Sequence, residues 1–384
     1  MNFLRIGDVP DTRTGGMARF MHYISDELRA AGHTVDLLFR EDIGLRVPAR
    51  LRRFAVPVRV VQLVRRLVRQ GKRYNAVEIH EPIAAAYGVA RKFDPSLPPM
   101  VVVSYGLEHR CHLAMLAYYR KKQIPLSFQR RCGHYSVIWQ ANAGLRLADQ
   151  VTVENSEDEA FLSRTLGVPA DRVTIVNGGL TPVFMHAPPP DPTARGILFL
   201  ATWIERKGIL DLIPALTGVL NQHPDLPITI AGFGAPADVV AGAFPAPVRE
   251  RLRLMPVLTN EQSLLDLYRC HAVFLAPSVF EGQLLTMLEA AAAGLAVVAT
   301  NTCGMRDFIR HGENGLLFET GDPEALARHI SQLIEDSSFA TRLGLAARQD
   351  AQRFTWKRSA GQFLTAAESA VARSRRRRTA ACAV

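Results

Sequence analysis

The chain has 384 residues, of which 48% are hydrophobic and 21% charged, and it carries a formal net charge of +10. Such a length predicts two domains, because single domains usually contain about 100–200 residues, and the composition excludes a wholly disordered chain. No apolar run approaches the ~18 residues of a membrane-spanning helix. The five cysteines lack disulfide or metal-ligand spacing, and no signal peptide is recognisable. These features predict a cytoplasmic protein.

The positive charge is concentrated in the first half of the chain. Residues 1–185 hold 26 Lys and Arg against 17 Asp and Glu, whereas residues 186–371 hold 15 against 19. Residues 46–73 contain ten Lys and Arg and no carboxylate. This asymmetry favours different partners for the two halves. Nucleic acid is not expected, since no nucleic-acid-binding motif accompanies the charge.

The basic segment 46–73 interleaves apolar residues with arginine. Its pattern predicts a helix over residues 58–70 with Val61, Val64 and Val68 opposite several arginines. Such a helix could lie on an anionic surface at the inner face of a membrane. The alternative is a solvated, Arg-rich face of a helix in the first domain.

The predicted elements alternate between strands and helices. Short apolar runs typical of buried strands are FLRIGDV, TVDLLF, NAVEIHEP, MVVVSYG, DQVTVEN and RVTIVNGG, then GILFLAT, PITIAGFG, AVFLAPS, LAVVAT and GLLF. Strand–helix–strand units with short loops predict parallel sheets. We therefore predict an α/β protein with Rossmann-like domains over residues 1–187 and 193–356 and a Pro-rich linker at 188–192. A helix at 357–371, packing back on the first domain, and a basic disordered tail at 372–384 complete the prediction.

The segment after AVFLAPS carries the strongest candidate site. A buried strand runs through a loop with Glu281 into an Ala-rich helix with Glu289. Ligands in open α/β sheets bind at the carboxyl ends of strands, and helix N-termini attract phosphate and sugar oxygens. Two carboxylates at this spacing could accept hydrogen bonds from two hydroxyl-bearing rings. The alternative is one solvated loop carboxylate and one on the helix surface, although an unpaired Glu289 among Ala and Leu would be costly.

Other strand ends carry weaker candidates. Arg206 and Lys207, followed by a glycine, could hold a pyrophosphate without a metal, or form a solvated turn. Gly15 and Gly16, after Thr14, would let a ligand approach the first helix N-terminus, but they lack dinucleotide-binding spacing and also suit a generic turn.

Two histidines in the first half are further candidates. His80 ends a predicted strand, and His109 follows the VVVSYG run. Each could contact substrate or be structural. No second ligand stands at metal-binding spacing from His80, so no metal site is predicted.

Taken together and in this order, these motifs resemble the retaining GT-B glycosyltransferases of family 4, and NAVEIHEP is similar to the corresponding strand of bacterial lipid mannosyltransferase-type members. The resemblance covers nearly the whole chain. The longest similar segments are TGGMARFMHYISDELRAAGHTVDLLF, PSVFEGQLLTMLEAAAAGLAVVAT and GMRDFIRHGENGLLFETGDPEALA. It implies the GT-B fold, in which two Rossmann-like domains face a central crevice.

The resemblance also implies roles for the candidate residues. Glu281 would bind the donor sugar, Glu289 the ribose of the nucleotide, and Lys207 with Arg206 the diphosphate leaving group. The remaining implied donor contacts are the backbone N–H groups of Gly282, Gln283, Leu284 and Leu285 and the glycines Gly15 and Gly16. Neither a metal nor another cofactor is expected. Electrostatic stabilisation of the departing diphosphate would be the main catalytic effect, with no protein general base.

Three positions depart from the family pattern. Ala201-Thr202 replace a Gly-Arg pair, so a phosphate-binding Arg is missing and Arg206 would have to substitute. Gln283-Leu284 replace Phe-Gly after Glu281-Gly282. Tyr105 replaces a frequent His, for which His109 could compensate.

The resemblance predicts a retaining glycosyltransferase that moves a sugar from a nucleotide diphosphate sugar to a glycan, glycolipid or other hydroxyl acceptor. A basic first domain would suit a lipid-linked or anionic acceptor. Two alternatives stay open: a catalytically inactive GT-B scaffold, and a second kind of enzyme, a GT-B sugar-nucleotide epimerase or a phosphorylase-like enzyme.

Overall fold

A computed structural model describes residues 1–13 and 15–382, so Thr14 of the predicted Gly-Gly loop lies outside the described residues. The chain forms two compact units. Unit 1 comprises Met1–Leu113, Leu126–Gly179 and the residues from Trp356 onward, and unit 2 comprises Ala114–Pro125 and Leu180–Thr355. The predicted linker 188–192 thus lies inside unit 2, where Arg348 donates hydrogen bonds to the carbonyls of Ala187 and Pro188.

Over the described residues, unit 1 is built on a six-stranded parallel sheet with the order β2-β1-β3-β4-β5-β6. Its strands are β1 Asn2–Ile6, β2 Thr34–Leu38, β3 Ala76–His80, β4 Met100–Val103, β5 Gln150–Val153 and β6 Val173–Ile175. Its helices are α1 Gly16–Ala30, α2 Arg40–Ile43, α3 Ala49–Arg69, α4 Ala85–Phe93, the first part of α5 Glu108–Lys121, α6 Phe128–Cys132, α7 Tyr135–Leu147, α8 Ser156–Arg164 and α18 Trp356–Cys382. All of the strands were predicted from apolar runs.

Helix α3 differs from its predicted extent and orientation. It begins at Ala49 and continues through Pro57 to Arg69, whereas the sequence predicted a helix only over 58–70. Val61 and Val64 are buried in the core of unit 1, and Val68 packs against that core. The apolar face predicted to meet a membrane is therefore used for packing, because a parallel sheet is covered by the hydrophobic faces of helices.

The C-terminal segment also differs from the prediction. The sequence predicted a helix over 357–371 and a disordered tail over 372–384, but one helix, α18, extends to Cys382, and residues 383 and 384 lie outside the described residues. Arg373 pairs with Asp171, and Arg377 with the buried Asp149. These ion pairs explain why the basic segment continues as an ordered helix: its charges meet carboxylates of unit 1.

Unit 2 is built on a second parallel sheet, which has six strands within the described ranges and the order β12-β11-β10-β7-β8-β9. The strands are β7 Ile197–Leu200, β8 Ile228–Ala231, β9 Leu252–Met255, β10 Val273–Ala276, β11 Ala296–Thr300 and β12 Leu316–Phe318. The helices are α9 Pro182–Met185, α10 Ile209–Gln222, α11 Ala237–Gly242, α12 Ala246–Arg249, α13 Glu261–Arg269, α14 Leu285–Ala292, α15 Cys303–Phe308, α16 Pro323–Glu335, α17 Ser337–Ala351 and the second part of α5.

Strand β9 was missed by the sequence analysis. It lies at the edge of the sheet and none of its residues is fully buried. An edge strand with an arginine between its leucines lacks the continuous apolar run by which the central strands were recognised. Among the described residues, no helix is long and apolar enough to cross a membrane.

Candidate active site

The strand order of unit 2 explains where its candidate residues meet. β7 and β10 are neighbours at the centre of the sheet, although Ile197 of β7 precedes its partner in register, Val273 of β10, by 76 positions. The other strands follow to either side of this pair. Ligands of open α/β sheets bind where the strand order reverses, outside the carboxyl ends of the strands. The segments that follow β7 and β10 carry Lys207 and Glu281, respectively.

Lys207, Arg206 and Glu281 form one charged cluster. The Lys207 Nζ lies 2.6 Å from Glu281 Oε1, and an Arg206 guanidinium nitrogen lies 3.2 Å from the same oxygen. Arg206 also donates to the carbonyl oxygen of Phe280 at 2.9 Å. The structure therefore brings the predicted diphosphate-binding and sugar-binding residues together, and the solvated-turn alternative for Lys207 is wrong because its side chain is only 13% exposed.

The two cations control the charge of Glu281. Burial alone would raise the pKa of its carboxyl, but Lys207 and Arg206 outweigh burial and hold that pKa below its ordinary value. Glu281 is 7% exposed, which rules out the solvated-loop alternative. The result is an ionised, nearly buried carboxylate whose acceptor oxygens stand beside two cations.

Gly208 sets the position of this cluster. It ends the 3₁₀ turn Glu205–Lys207 in a left-handed conformation with φ of 77° and is the N-cap of α10. A Cβ at this position would lie 1.8 Å from the carbonyl oxygen of Pro277, the residue directly after β10. Only glycine permits this close approach, which places Lys207 against Glu281.

Glu289 lies on α14 and is 1% exposed, so the surface-glutamate alternative is wrong. The Tyr268 hydroxyl donates to its Oε2 atom at 3.0 Å. Tyr268 comes from α13, and its contact with Glu289 was not anticipated from the sequence. A Tyr near the end of a helix before a buried strand carries no signal of such a role, since the two residues meet only in the folded unit.

The loop between Glu281 and α14 is fixed by close backbone packing. The N–H of Gly304 donates to the carbonyl of Gly282 at 3.1 Å, and a Cβ on Gly304 would lie 2.4 Å from that oxygen. Gln283 is partly exposed, while Leu284 and Leu285 are buried. α14 begins at Leu285 without a side-chain cap from Leu284.

In unit 1, two of the five candidate residues, His80 and Tyr105, lie together. The rings of His80 and Tyr105 are 5.1 Å apart, centroid to centroid. His80 is buried, which lowers its pKa to about 3, and its Nε2 atom has no hydrogen-bond partner among the described residues. A Cβ on Gly7 would lie 2.5 Å from His80 Cε1, so that glycine makes room for the ring.

The other first-domain candidates have different surroundings. His109 contacts Asn142 and Phe161 and is not seen against His80 or Tyr105, so its predicted compensation for Tyr105 gains no support from these contacts. Gly15 has φ of 88°, which favours glycine, and no atom of the described residues lies within 4 Å of a Cβ built on Gly15 or Gly16. The backbone at the start of α1 is therefore open on that side.

Glu81 was not selected from the sequence, yet it is a buried carboxyl beside the His80 cluster. It accepts hydrogen bonds from the Ser104 hydroxyl and, at 3.3 Å, from the backbone N–H of Glu108. Burial raises the pKa of this carboxyl from 4.5 to about 8. The signal that could have found it is its position at the end of a fully buried strand, followed by proline.

Glu81→Gln is expected to have a higher free energy of unfolding than the wild-type chain at high pH, and this difference should grow as the pH rises. Between pH 4.5 and about 8 the unfolded chain loses the Glu81 proton while the folded chain keeps it, so the free energy of unfolding falls with rising pH. Glutamine cannot ionise, and thermal melts should therefore show a higher Tm for the variant near about pH 9 and a smaller difference near about pH 5. Glu250→Gln, at an exposed position, is the control. A difference independent of pH would contradict the assignment.

Two family models match the chain over most of its length. Residues 14–182 match the model described as Glycosyltransferase Family 4, and residues 194–336 match the one described as Glycosyl transferases group 1. The chain belongs to glycosyltransferase family 4. It is therefore a transferase enzyme, as the sequence motifs predicted.

Characterised relatives of this family 4 chain include enzymes with different acceptors. Glycogen synthase from Mycobacterium tuberculosis is 25% identical to this chain. The match spans 89% of this chain and 88% of that protein. The D-inositol 3-phosphate glycosyltransferase from Corynebacterium urealyticum is 28% identical, over 45% of this chain and 42% of that protein. These names define the family and leave the acceptor of this member open.

Solved structures confirm the GT-B fold. Sucrose-phosphate synthase from Thermosynechococcus elongatus has a TM-score of 0.76 at 20% identity, covering 95% of this chain and 97% of that one. Anabaena HepE, solved in complex with UDP-glucose, has a TM-score of 0.66 at 16% identity, covering 95% and 98%. Across the part of the chain that the structure describes, no group of three or more His, Cys, Asp or Glu is arranged to hold a metal ion.

Proposed function

We propose that the chain is a retaining glycosyltransferase that uses a nucleoside diphosphate sugar as donor. The observation that carries this proposal is the cluster of Lys207, Arg206 and Glu281 at the strand-order reversal of unit 2. Two cations suit a diphosphate leaving group, and the ionised Glu281 suits hydroxyl groups of the transferred sugar. HepE, a structural neighbour solved with UDP-glucose, supports a donor of this kind.

In the proposed mechanism, the protein acts mainly through charge. Lys207 and Arg206 stabilise the negative charge that grows on the departing diphosphate, with the backbone N–H groups of residues 282–285 assisting. Glu289, held by Tyr268, accepts from the ribose hydroxyls. The acceptor attacks on the face that the diphosphate leaves and gives its proton to a phosphate oxygen, so that the configuration at the sugar carbon is retained.

The reaction needs no metal in this proposal, since Lys207 and Arg206 supply the positive charge. This chain has Thr202 where the family has a phosphate-binding Arg, so Arg206 is the second cation. The Arg206 guanidinium contacts the same carboxylate as Lys207, that of Glu281. Activity that persists unchanged in EDTA would support this point. Activity that is lost in EDTA and restored by Mg²⁺ or Mn²⁺ would overturn it.

A thermal-shift panel tests the donor class. UDP, GDP, ADP and their sugar conjugates are added in EDTA to the wild-type chain and to Glu289→Ala. We expect one diphosphate to raise the wild-type Tm, and the variant to bind that diphosphate at least about tenfold more weakly, as expected for loss of a charged hydrogen-bond acceptor. No shift with any nucleotide would favour the inactive-scaffold alternative. Equal shifts in both proteins would remove Glu289 from the site.

The acceptor is assigned to unit 1 in this proposal. His80 offers a neutral imidazole whose buried Nε2 is without a partner among the described residues, next to the Tyr105 ring. Both suit hydroxyl groups of a glycan or glycolipid. The product anomer, determined by NMR, tests retention: an inverted product would contradict the mechanism.

Helix α3 supplies a surface that suits an anionic membrane, and residues 46–73 remain our proposed attachment segment. Leu51, Phe54 and Val58 are each about half exposed and follow one another at spacings of three and four, so they share a helix face. Arg66, eight residues or two such steps after Val58, and Arg69, three residues further on, are both exposed. This outer face, and not the buried valines of the sequence prediction, would lie on the inner face of the membrane.

Exchanging the three exposed apolar residues of α3 for glutamine is expected to weaken binding to phosphatidylglycerol-containing liposomes by about tenfold or more, since each apolar side chain that leaves the interface forfeits burial energy. Sedimentation at low and high salt is the measurement. Val89→Gln with Phe93→Gln on α4, where both side chains are also exposed, is the matched control. Equal binding to neutral phosphatidylcholine liposomes, or no binding to either kind, would reject the surface.

A further inference from the structure

Residues Ala114–Pro125, here called the inserted segment, belong to unit 2 although residues of unit 1 precede and follow them in the chain. The segment consists of the second part of α5 and the turn after it. Lys121 anchors its end: the ammonium donates to the carbonyl of Thr320 at 2.7 Å, and the side chain packs where a Cβ on Gly321 would otherwise be. It is thus an integral part of unit 2.

Tyr119 contacts the turn that carries the charged cluster. Its hydroxyl donates a hydrogen bond to the carboxylate of Glu205, and the residue is 9% exposed. Glu205 is the first residue of the 3₁₀ turn Glu205–Lys207. A buried hydroxyl bonded to this carboxylate fixes the residue immediately before Arg206 and Lys207.

Lys122 holds the other side of the same turn. Its ammonium pairs with Asp211, which is fully buried and lies in the first turn of α10, three residues after Gly208. Asp211 also accepts from the backbone N–H of Gly321 at 2.9 Å. A fully buried carboxylate needs such partners, so Lys122 secures the start of α10 in its place.

We propose that Tyr119 and Lys122 are positioning residues for the diphosphate-binding pair Arg206 and Lys207. One contact is at Glu205, the first residue of the turn, and the other is at Asp211, four residues after the last residue of the turn, Lys207. Between them, the backbone of the turn is joined to the segment after β10 by the bond from Val279 N–H to the carbonyl of Arg206. Tyr119 and Lys122 therefore fix the two ends of the turn that aims both cations. This inference rests on the proposed function of that pair.

The test compares nucleotides that differ only in the terminal phosphate. We expect Tyr119→Phe to weaken the binding of UDP by about tenfold, the effect of one hydrogen bond to a charged group, and to leave the binding of UMP unchanged. If the panel selects another base, its diphosphate and monophosphate replace UDP and UMP. Isothermal calorimetry gives both affinities, and steady-state kinetics should show kcat falling with the UDP affinity.

Tyr74→Phe is the matched control, because it removes a tyrosine–carboxylate hydrogen bond, to Asp36, in unit 1. Lys122→Met is a second variant with the same expected selectivity for the diphosphate. Equal loss of UDP and UMP affinity in Tyr119→Phe, or no loss of either, would overturn the positioning role. A wild-type chain that binds no nucleoside diphosphate would instead overturn the proposed function, so the two failures are distinguishable.

Discussion

Lys207→Ala is expected to lower kcat by about 10²–10³-fold, the usual effect of removing one preorganised group that stabilises charge in a transition state. The Lys207 ammonium is largely buried and lies beside Glu281, so water cannot replace its charge at full strength. Radiometric or coupled detection of released nucleoside diphosphate at saturating donor measures the effect. A kcat within about threefold of wild type, in a folded variant, would remove Lys207 from the catalytic machinery.

Removing Lys207 also deprives a buried carboxylate of a partner, and the design must separate this from catalysis. Glu281 keeps its contact with Arg206, but part of its stabilisation is lost. The double variant Lys207→Ala with Glu281→Gln removes the buried charge as well, so it should recover Tm without recovering activity. Lys92→Ala, at an exposed position on α4, is the control and should retain wild-type kcat.

Gly208→Ala is expected to destabilise unit 2 by about 2–5 kcal/mol, from left-handed backbone strain and overpacking together. The new Cβ would meet the carbonyl oxygen of Pro277 at 1.8 Å unless the backbone moved. Such a movement would separate Lys207 from Glu281, so any protein that still folds should lose nucleotide affinity. Urea unfolding followed by circular dichroism, with nucleotide titration, measures both effects.

Gly218→Ala is the matched control in the same helix. Gly218 lies inside α10, and a Cβ there would meet no atom within 4 Å. Alanine at such a site should stabilise the helix by about 0.5–1 kcal/mol. Opposite signs at positions 208 and 218 are thus the expected result, and equal small effects at both would show that the Gly208–Pro277 approach is not rigid.

Local sequence patterns predicted most of the fold. Buried strands of parallel sheets are continuous apolar runs, and this pattern located all the strands except the edge strand β9. It could not predict that α3 would continue through Pro57, or that α18 would continue past residue 371. Those outcomes depend on tertiary contacts, such as the pairing of Arg377 with Asp149, that no local pattern contains.

The candidate site was predicted only in part, because it too depends on tertiary contacts. The motifs singled out Lys207, Arg206, Glu281 and Glu289 individually, but their proximity depends on β7 and β10 being neighbours in the sheet. Tyr268 bonds to Glu289 across 21 residues of sequence, and Tyr119 to Glu205 across 86. Partners so distant along the chain have no periodic or spacing signal, so these supporting residues emerged only from the structure.

The inserted segment has a consequence for recombination between family members. A chimera that exchanged only residues 180–355 would receive Glu205 and Asp211 from one parent and Tyr119 and Lys122 from the other. A parent lacking these two side chains would leave the fully buried Asp211 of the transplanted half without its cation. If unit 2 binds the donor, as proposed, a swap of donor specificity must also move residues 114–125, so that the exchanged residues are not contiguous in the gene.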